Sequence, residues 1–141
     1  MKSLLLALAL AALPAYAEAP LKWSVTLGSS GGTTGGGRSS IIRSSGDIVT
    51  EKWATANAPH DSEVTGYVNQ EELDLLEKMV ADPNLHKTNV SKPGNMSRFV
   101  QINYGVIKKT YTVEMNESFP EPVERLSREI ARALSAAKQE D

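Results

Sequence analysis

Residues 98–115, RFVQINYGVIKKTYTVEM, decide the fold that this sequence predicts. Apolar side chains alternate with polar ones in both halves of the stretch, and an alternation of period two is typical of a half-buried β-strand. The alternating residues are Val100, Ile102 and Tyr104 in the first half and Tyr111, Val113 and Met115 in the second. Gly105 lies between the halves and marks a turn. The stretch therefore predicts two neighbouring strands, 98–104 and 107–115.

Two segments nearer the N-terminus also have the pattern of strands. Residues 22–27, KWSVTL, alternate apolar and polar side chains. Residues 38–53, RSSIIRSSGDIVTEKW, place β-branched residues on both sides of a Ser-Gly-Asp turn at 45–47, which indicates a hairpin. The segments 28–37 and 54–66 lose this period, and we predict that both are loops.

The middle of the chain predicts an amphipathic helix. Asn69 is a favourable N-cap residue, and Glu72 follows it at a spacing that resembles a capping box. The Asp82-Pro83 pair ends the helix, because proline interrupts helical hydrogen bonding. The polar segment 84–97 is predicted to be a connector. The apolar stripe of the helix is formed by Leu73, Leu76 and Val80.

The last segment predicts a second amphipathic helix that runs to about Ala137. Pro122 is acceptable in its first turn. Its apolar stripe consists of Val123, Leu126, Ile130, Ala133 and Leu134. The element order is thus β-β-β-α-β-β-α, and the short links between strands favour an antiparallel sheet. Because each helix has one apolar stripe, we predict an α+β fold with both helices on one face of a sheet of four to five strands.

The first 17 residues are arranged like a secretory signal peptide. Lys2 supplies a positive charge, residues 4–13 are apolar, and Ala15 and Ala17 form an A-x-A cleavage site. The apolar run is shorter than the roughly 20 residues that a membrane-spanning helix needs. We therefore predict a signal peptide over residues 1–17 and a single domain over residues 18–141. The expected product is periplasmic or secreted and has no membrane attachment after cleavage.

The composition argues against several kinds of site. The chain has no Cys, which excludes disulfides and thiolate metal sites, and its formal net charge of −2 is not typical of nucleic-acid binding. The only histidines, His60 and His86, lie in predicted polar loops. His60 and Asp61 are compatible with a metal pair or with a base and its orienting acid, but a solvated histidine is the simpler interpretation. No G-x-S-x-G motif is present. We predict no catalytic residue, no cofactor and no metal site.

The glycine-rich segment 28–37, GSSGGTTGGG, is the strongest candidate for a functional loop. With Arg38 and Ser39 it differs from a P-loop only by arginine in place of lysine, but a P-loop requires a helix directly after the glycines, and a strand is predicted here. Ten residues exceed the usual hairpin connection of roughly 2–5, and long loops on a rigid sheet often bind partners. A flexible tether is the alternative. The predicted partner-binding residues are Ser30, Gly31, Gly32, Thr33, Thr34, Gly35, Gly36, Gly37 and Arg38.

These motifs together resemble the emfourin family. The resemblance rests on a first strand followed by Ser30-Gly31-Gly32 and further glycines, on the helix QEELDLLEKMV, on the strand pair FVQINYGVIKKTYTVEM and on a final helix. The family consists of small protein inhibitors of protealysin and related thermolysin-like zinc metallopeptidases. The resemblance implies a non-catalytic inhibitor that contacts a secreted metallopeptidase through the glycine-rich segment. Thr33 departs from the aromatic or aliphatic residue that the family favours after the paired glycines. An envelope interaction or adaptor protein without inhibitory activity is the alternative function.

Overall fold

The structure is a computed structural model that describes residues 21–139. It has the predicted α+β fold, with six antiparallel strands and three helices in the described part of the chain. The strands are β1 (Trp23–Gly31), β2 (Gly35–Arg43), β3 (Asp47–Thr55), β4 (Asp61–Tyr67), β5 (Met96–Tyr104) and β6 (Ile107–Glu114). The helices are α1 (Gln70–Val80), α2 (Pro83–Lys87) and α3 (Glu121–Gln139).

The six strands form one sheet in the order β4-β3-β2-β1-β5-β6. The first strand in sequence therefore lies in the middle of the sheet, between β2 and β5. Val25 of β1 is paired with Ile42 on one side and with Ile102 on the other. These three side chains are fully buried and form the centre of the core.

All three helices pack against the same face of the sheet, as the single apolar stripe of each predicted helix requires. Their side chains join those of the sheet in one hydrophobic cluster. The buried helical residues in this cluster are Leu73, Leu76, Val80, Leu85, Val123, Leu126, Ile130 and Ala133. The opposite face of the sheet is not covered by any element between residues 21 and 139.

The short helix α2 is an addition to the prediction, which treated residues 84–97 as a connector. Asp82 caps it by accepting a hydrogen bond from the backbone N–H of Asn84, at 2.9 Å, and Pro83 occupies its first turn. In this helix, the carbonyl oxygen of Leu85 accepts a 2.5 Å hydrogen bond from the hydroxyl of the buried Tyr111. Burial raises the pKa of Tyr111 to about 12. A five-residue helix is too short to show a helical period.

Strand β4 overturns the prediction that residues 54–66 form a loop. Six of its seven residues are exposed although α3 approaches this strand, because β4 lies at the edge of the sheet. Such a strand has no buried side to impose an apolar alternation on the sequence. The sheet therefore has one strand more than the four to five predicted.

Two other predictions concern parts of the chain outside this description. The signal peptide over residues 1–17 and its cleavage site at Ala15 and Ala17 lie outside the described residues. Within residues 21–139, none of the helices has the length and apolar character needed to cross a membrane.

Candidate hairpin-tip site

The glycine-rich segment is a tight β-hairpin rather than the predicted ten-residue loop. Strand β1 continues to Gly31 and β2 begins at Gly35, which leaves Gly32, Thr33 and Thr34 as the connection. Across the hairpin, Ser30 is paired with Gly37 and Ser29 with Arg38. Because glycine has no side chain, these residues cannot show the apolar–polar alternation of a strand. The backbone pairing of β1 with β2 nevertheless continues through them.

The tip of this hairpin, residues 32–34, is held by its neighbours on both sides. The backbone N–H of Gly32 donates a hydrogen bond of 2.6 Å to the carbonyl oxygen of Asn95, just before β5. On the other side, the N–H of Ala56 donates a 3.1 Å hydrogen bond to the carbonyl oxygen of Thr34. Because β1 and β2 are central strands, the tip is braced by the segments that flank β5 and β3.

Two glycines make this close arrangement feasible. Gly31 and Gly35 have φ values of 123° and 71°, which side chains rarely tolerate. A Cβ atom at position 31 would overlap the carbonyl oxygen of Asn95, and one at position 35 would lie 2.8 Å from Cβ of Ala56. These glycines therefore permit packing of the hairpin tip against the flanking segments.

The side chains at the tip differ in whether they bond within the turn or remain accessible to a partner. The hydroxyl of Thr34 accepts a 3.2 Å hydrogen bond from the N–H of Gly36 and helps to shape the turn. Thr33 is exposed at the end of the hairpin. Beside the tip, the exposed Met96 places its sulfur near Gly32. A partner approaching this end of the sheet meets the Thr33 side chain and the Met96 thioether.

The remaining predicted site residues do not all lie on this surface. Ser30 and Gly37 are a cross-strand pair on the helix-free face. Arg38 belongs to the other face, where it lines a small groove with Leu134 and Lys138 near the end of α3. The structure thus divides the segment Ser30–Arg38 between two faces and one tip, and Arg38 does not stand beside the turn.

An ion pair between Arg98 and Glu124 lies on the helix-covered face, near the end of the sheet that carries the hairpin tip. The guanidinium of Arg98 donates hydrogen bonds to the carbonyl oxygen of Glu117 and, at 3.0 Å, to the carboxylate of Glu124. It also lies 4.4 Å from the ring centroid of Phe119. Burial opposes ionisation of Glu124, but hydrogen bonds from Ser127 and Arg98 outweigh it and lower the pKa of this carboxyl. These contacts join β5 to the connection between β6 and α3.

The two histidines make separate structural contacts. Nδ1 of His60 lies 3.1 Å from Oε2 of Glu51, and its ring stacks on Trp53 with a centroid distance of 4.3 Å. The companion of His60 is thus Glu51 rather than the neighbouring Asp61. Nε2 of His86 lies 2.6 Å from the carbonyl oxygen of Val80, and its Nδ1 is buried without a hydrogen-bond partner.

No group of three or more His, Asp or Glu side chains within residues 21–139 is arranged to hold a metal ion. The braces of the tip, Asn95 and Ala56, were not foreseen from the sequence. Both act through backbone atoms, and only their position in the sheet brings them to the turn.

No family model matches the chain, and no curated protein matches its sequence.

Proposed function

We propose that this protein is an exported, non-catalytic inhibitor of thermolysin-like zinc metallopeptidases that presents the hairpin tip, residues 32–34, to the enzyme's cleft. The observation that carries the proposal is that the tip is exposed at Thr33 and yet held by backbone hydrogen bonds to Asn95 and Ala56. The resemblance to emfourins supplies the class of enzyme.

A braced tip suits inhibition for a thermodynamic reason. A flexible loop loses conformational entropy when a partner immobilises it, and this loss is subtracted from the binding free energy. The tip of this hairpin is already fixed before binding, since its N–H and carbonyl groups are bonded to two neighbouring segments.

The contacts of the histidines support a binding rather than a catalytic function. His60 is stacked on Trp53 and bonded to Glu51, whereas His86 is directed to the carbonyl oxygen of Val80. The two rings thus serve separate local structures. Neither is bonded to a hydroxyl that it would activate as a nucleophile.

Inhibition of thermolysin by the purified protein tests the proposal, with cleavage of a fluorogenic peptide as the measurement. The wild-type protein is expected to slow cleavage with increasing dose. Thr33→Glu should weaken inhibition by roughly tenfold or more, the range of a central interface residue. Its stability should not change, because Thr33 is exposed and lies outside the hydrogen bonds that form the turn.

Val106→Glu is the matched control, because Val106 is fully exposed in the turn between β5 and β6. That turn lies at the opposite end of the sheet, so this variant should inhibit like the wild type. Equal inhibition by Thr33→Glu would exclude the tip as the contact. Capture of an envelope protein from the host's secreted fraction, without any effect on metallopeptidases, would favour the adaptor function instead.

A further inference from the structure

The two edge strands of the sheet, β6 and β4, differ in whether a further segment of the chain is bonded to them. At the edge strand β6, Thr112 is bonded to the segment before β5: the N–H of Lys92 donates a 2.8 Å hydrogen bond to the carbonyl oxygen of Thr112, and the N–H of Thr112 donates to the carbonyl oxygen of Val90. This segment forms a parallel bridge between Ser91 and Thr112. At the other edge, no segment between residues 21 and 139 pairs with the outer side of β4.

The residues of β4 suit pairing with another strand. Its sequence, DSEVTGY, contains neither proline nor lysine, which are common protections of an exposed edge. Val64 is 53% exposed in the middle of the strand, and the large side chain of Tyr67 is exposed at its end. An edge with free backbone donors and acceptors and exposed apolar side chains is a template for strand addition.

We propose that β4 pairs with β4 of a second copy of this chain, antiparallel and centred on Val64, to form a twofold dimer with a continuous twelve-stranded sheet. This proposal concerns a surface distinct from the hairpin tip and is independent of the proposed inhibition. A twofold axis through Val64 places each strand opposite its own copy in reverse order.

The charge pattern of β4 favours this self-pairing. In the Val64-centred register, Glu63 lies opposite Thr65, and Asp61 lies opposite Tyr67. Each acidic residue therefore faces a neutral one, and the like-charge contacts that destabilise directly opposite pairs are avoided. The exposed Val64 side chains meet across the axis and remove apolar surface from water.

The dimer is also a closed assembly. Pairing of β4 with β4 uses this edge on both copies, and the bonding of segment 90–92 to Thr112 obstructs the outer edge of β6 at that residue. An isologous contact of this kind ends at two copies and does not extend into fibres. Because the paired strands are antiparallel, the two hairpin tips point in opposite directions and stay accessible.

A single cysteine at the proposed axis tests this arrangement, because the chain has no Cys of its own. In Val64→Cys, the two thiols lie on directly opposite residues, whose Cβ atoms are roughly 4.5–5.5 Å apart, close to disulfide distance. Under mild oxidation, this variant is expected to become a disulfide-linked dimer. Val106→Cys, an exposed valine on a different hairpin, is expected to stay monomeric under the same conditions.

Analytical ultracentrifugation of the protein without a disulfide provides the second measurement. The wild type should form a dimer with increasing concentration, and Val64→Arg should shift it to monomer because two arginines would meet at the axis. Both substitutions replace an exposed side chain, so the fold should tolerate them. A monomeric wild type at all concentrations, or Val64→Cys that crosslinks no faster than Val106→Cys, would overturn the proposal.

Discussion

The indole ring of Trp53 lies directly against the backbone of Gly37, its cross-strand neighbour on β2. A Cβ atom at position 37 would lie 2.5 Å from Cζ2 of the indole and would overlap the carbonyl oxygen of Ser29. Trp53 also stacks on His60. The absence of a side chain at Gly37 thus leaves the space that the indole ring of Trp53 occupies on the helix-free face.

Replacement of this glycine should therefore destabilise the protein. We expect Gly37→Ala to lower the free energy of unfolding by about 1–3 kcal/mol, the range for overpacking, since either the strand or the indole ring must move. Urea denaturation followed by tryptophan fluorescence measures the change. In Gly66→Ala, the new methyl group would lie 3.6 Å from the nearest atom of Ile48, so this control should be nearly neutral. Equal stability of both variants would contradict the close contact.

A core substitution in α3 tests the packing of the helices on the sheet. Leu126 has no exposed surface, and Leu126→Ala is expected to lower the free energy of unfolding by about 2–5 kcal/mol. Leu75 in α1 is 40% exposed, and Leu75→Ala should cost much less. Chemical denaturation of both variants gives the comparison. A change below about 0.5 kcal/mol at position 126 would show that α3 does not pack there.

The ion pair of Arg98 and Glu124 predicts a stability that depends on pH. Because the pKa of Glu124 is lowered from its ordinary value of 4.5, its stabilising contribution is present above that value and is lost as the pH falls through the lower, folded-state pKa. Glu124→Gln should cost about 1–3 kcal/mol at neutral pH, in line with hydrogen bonds to a charged group. Denaturant titrations at several pH values should show this difference shrink below about pH 4.5.

The matched control for Glu124 is Glu121, an exposed residue of the same helix that lies 3.5 Å from Arg125. An exposed pair of this kind contributes about 0–1 kcal/mol, so Glu121→Gln should change little at any pH. A pH-independent loss in Glu124→Gln would show that Glu124 acts through packing rather than through its charge.

The signal peptide predicted over residues 1–17 implies a defined N-terminus for any exported form of the protein. Cleavage after Ala17 should yield a chain that begins at Glu18, and intact mass spectrometry of the secreted or periplasmic material measures this directly. Replacement of both Ala15 and Ala17 by a bulky residue should leave the precursor uncleaved. Recovery of exported protein that still carries Met1 would contradict the prediction.

The sequence predicts best those elements whose determinants are local. Helix α1 begins as expected, with the side chain of Asn69 accepting a 3.0 Å hydrogen bond from the N–H of Glu72. Its capping residue and its apolar stripe lie within a few residues of one another. The alternation in β5 and β6 is equally clear, because one face of each strand is buried beneath the helices.

The elements that were missed depend on distant neighbours. Strand β4 exists through its pairing with β3 and has no apolar face of its own. At the candidate site, the sequence predicts the position of the connection but not its length, because glycine is equally compatible with a loop and with a crowded strand. Asn95 and Ala56 contact the turn only when the sheet order is known.

The central position of β1 has a consequence for the order of folding. This strand is the first to leave the ribosome, yet one of its two partners is β5, and Trp23 is paired with Tyr104. Pairings between residues so far apart in sequence form slowly. Among the elements that contact β1, β5 and α3 are synthesised last. For the export that the first 17 residues predict, this order would delay closure of the core until most of the chain has crossed the membrane.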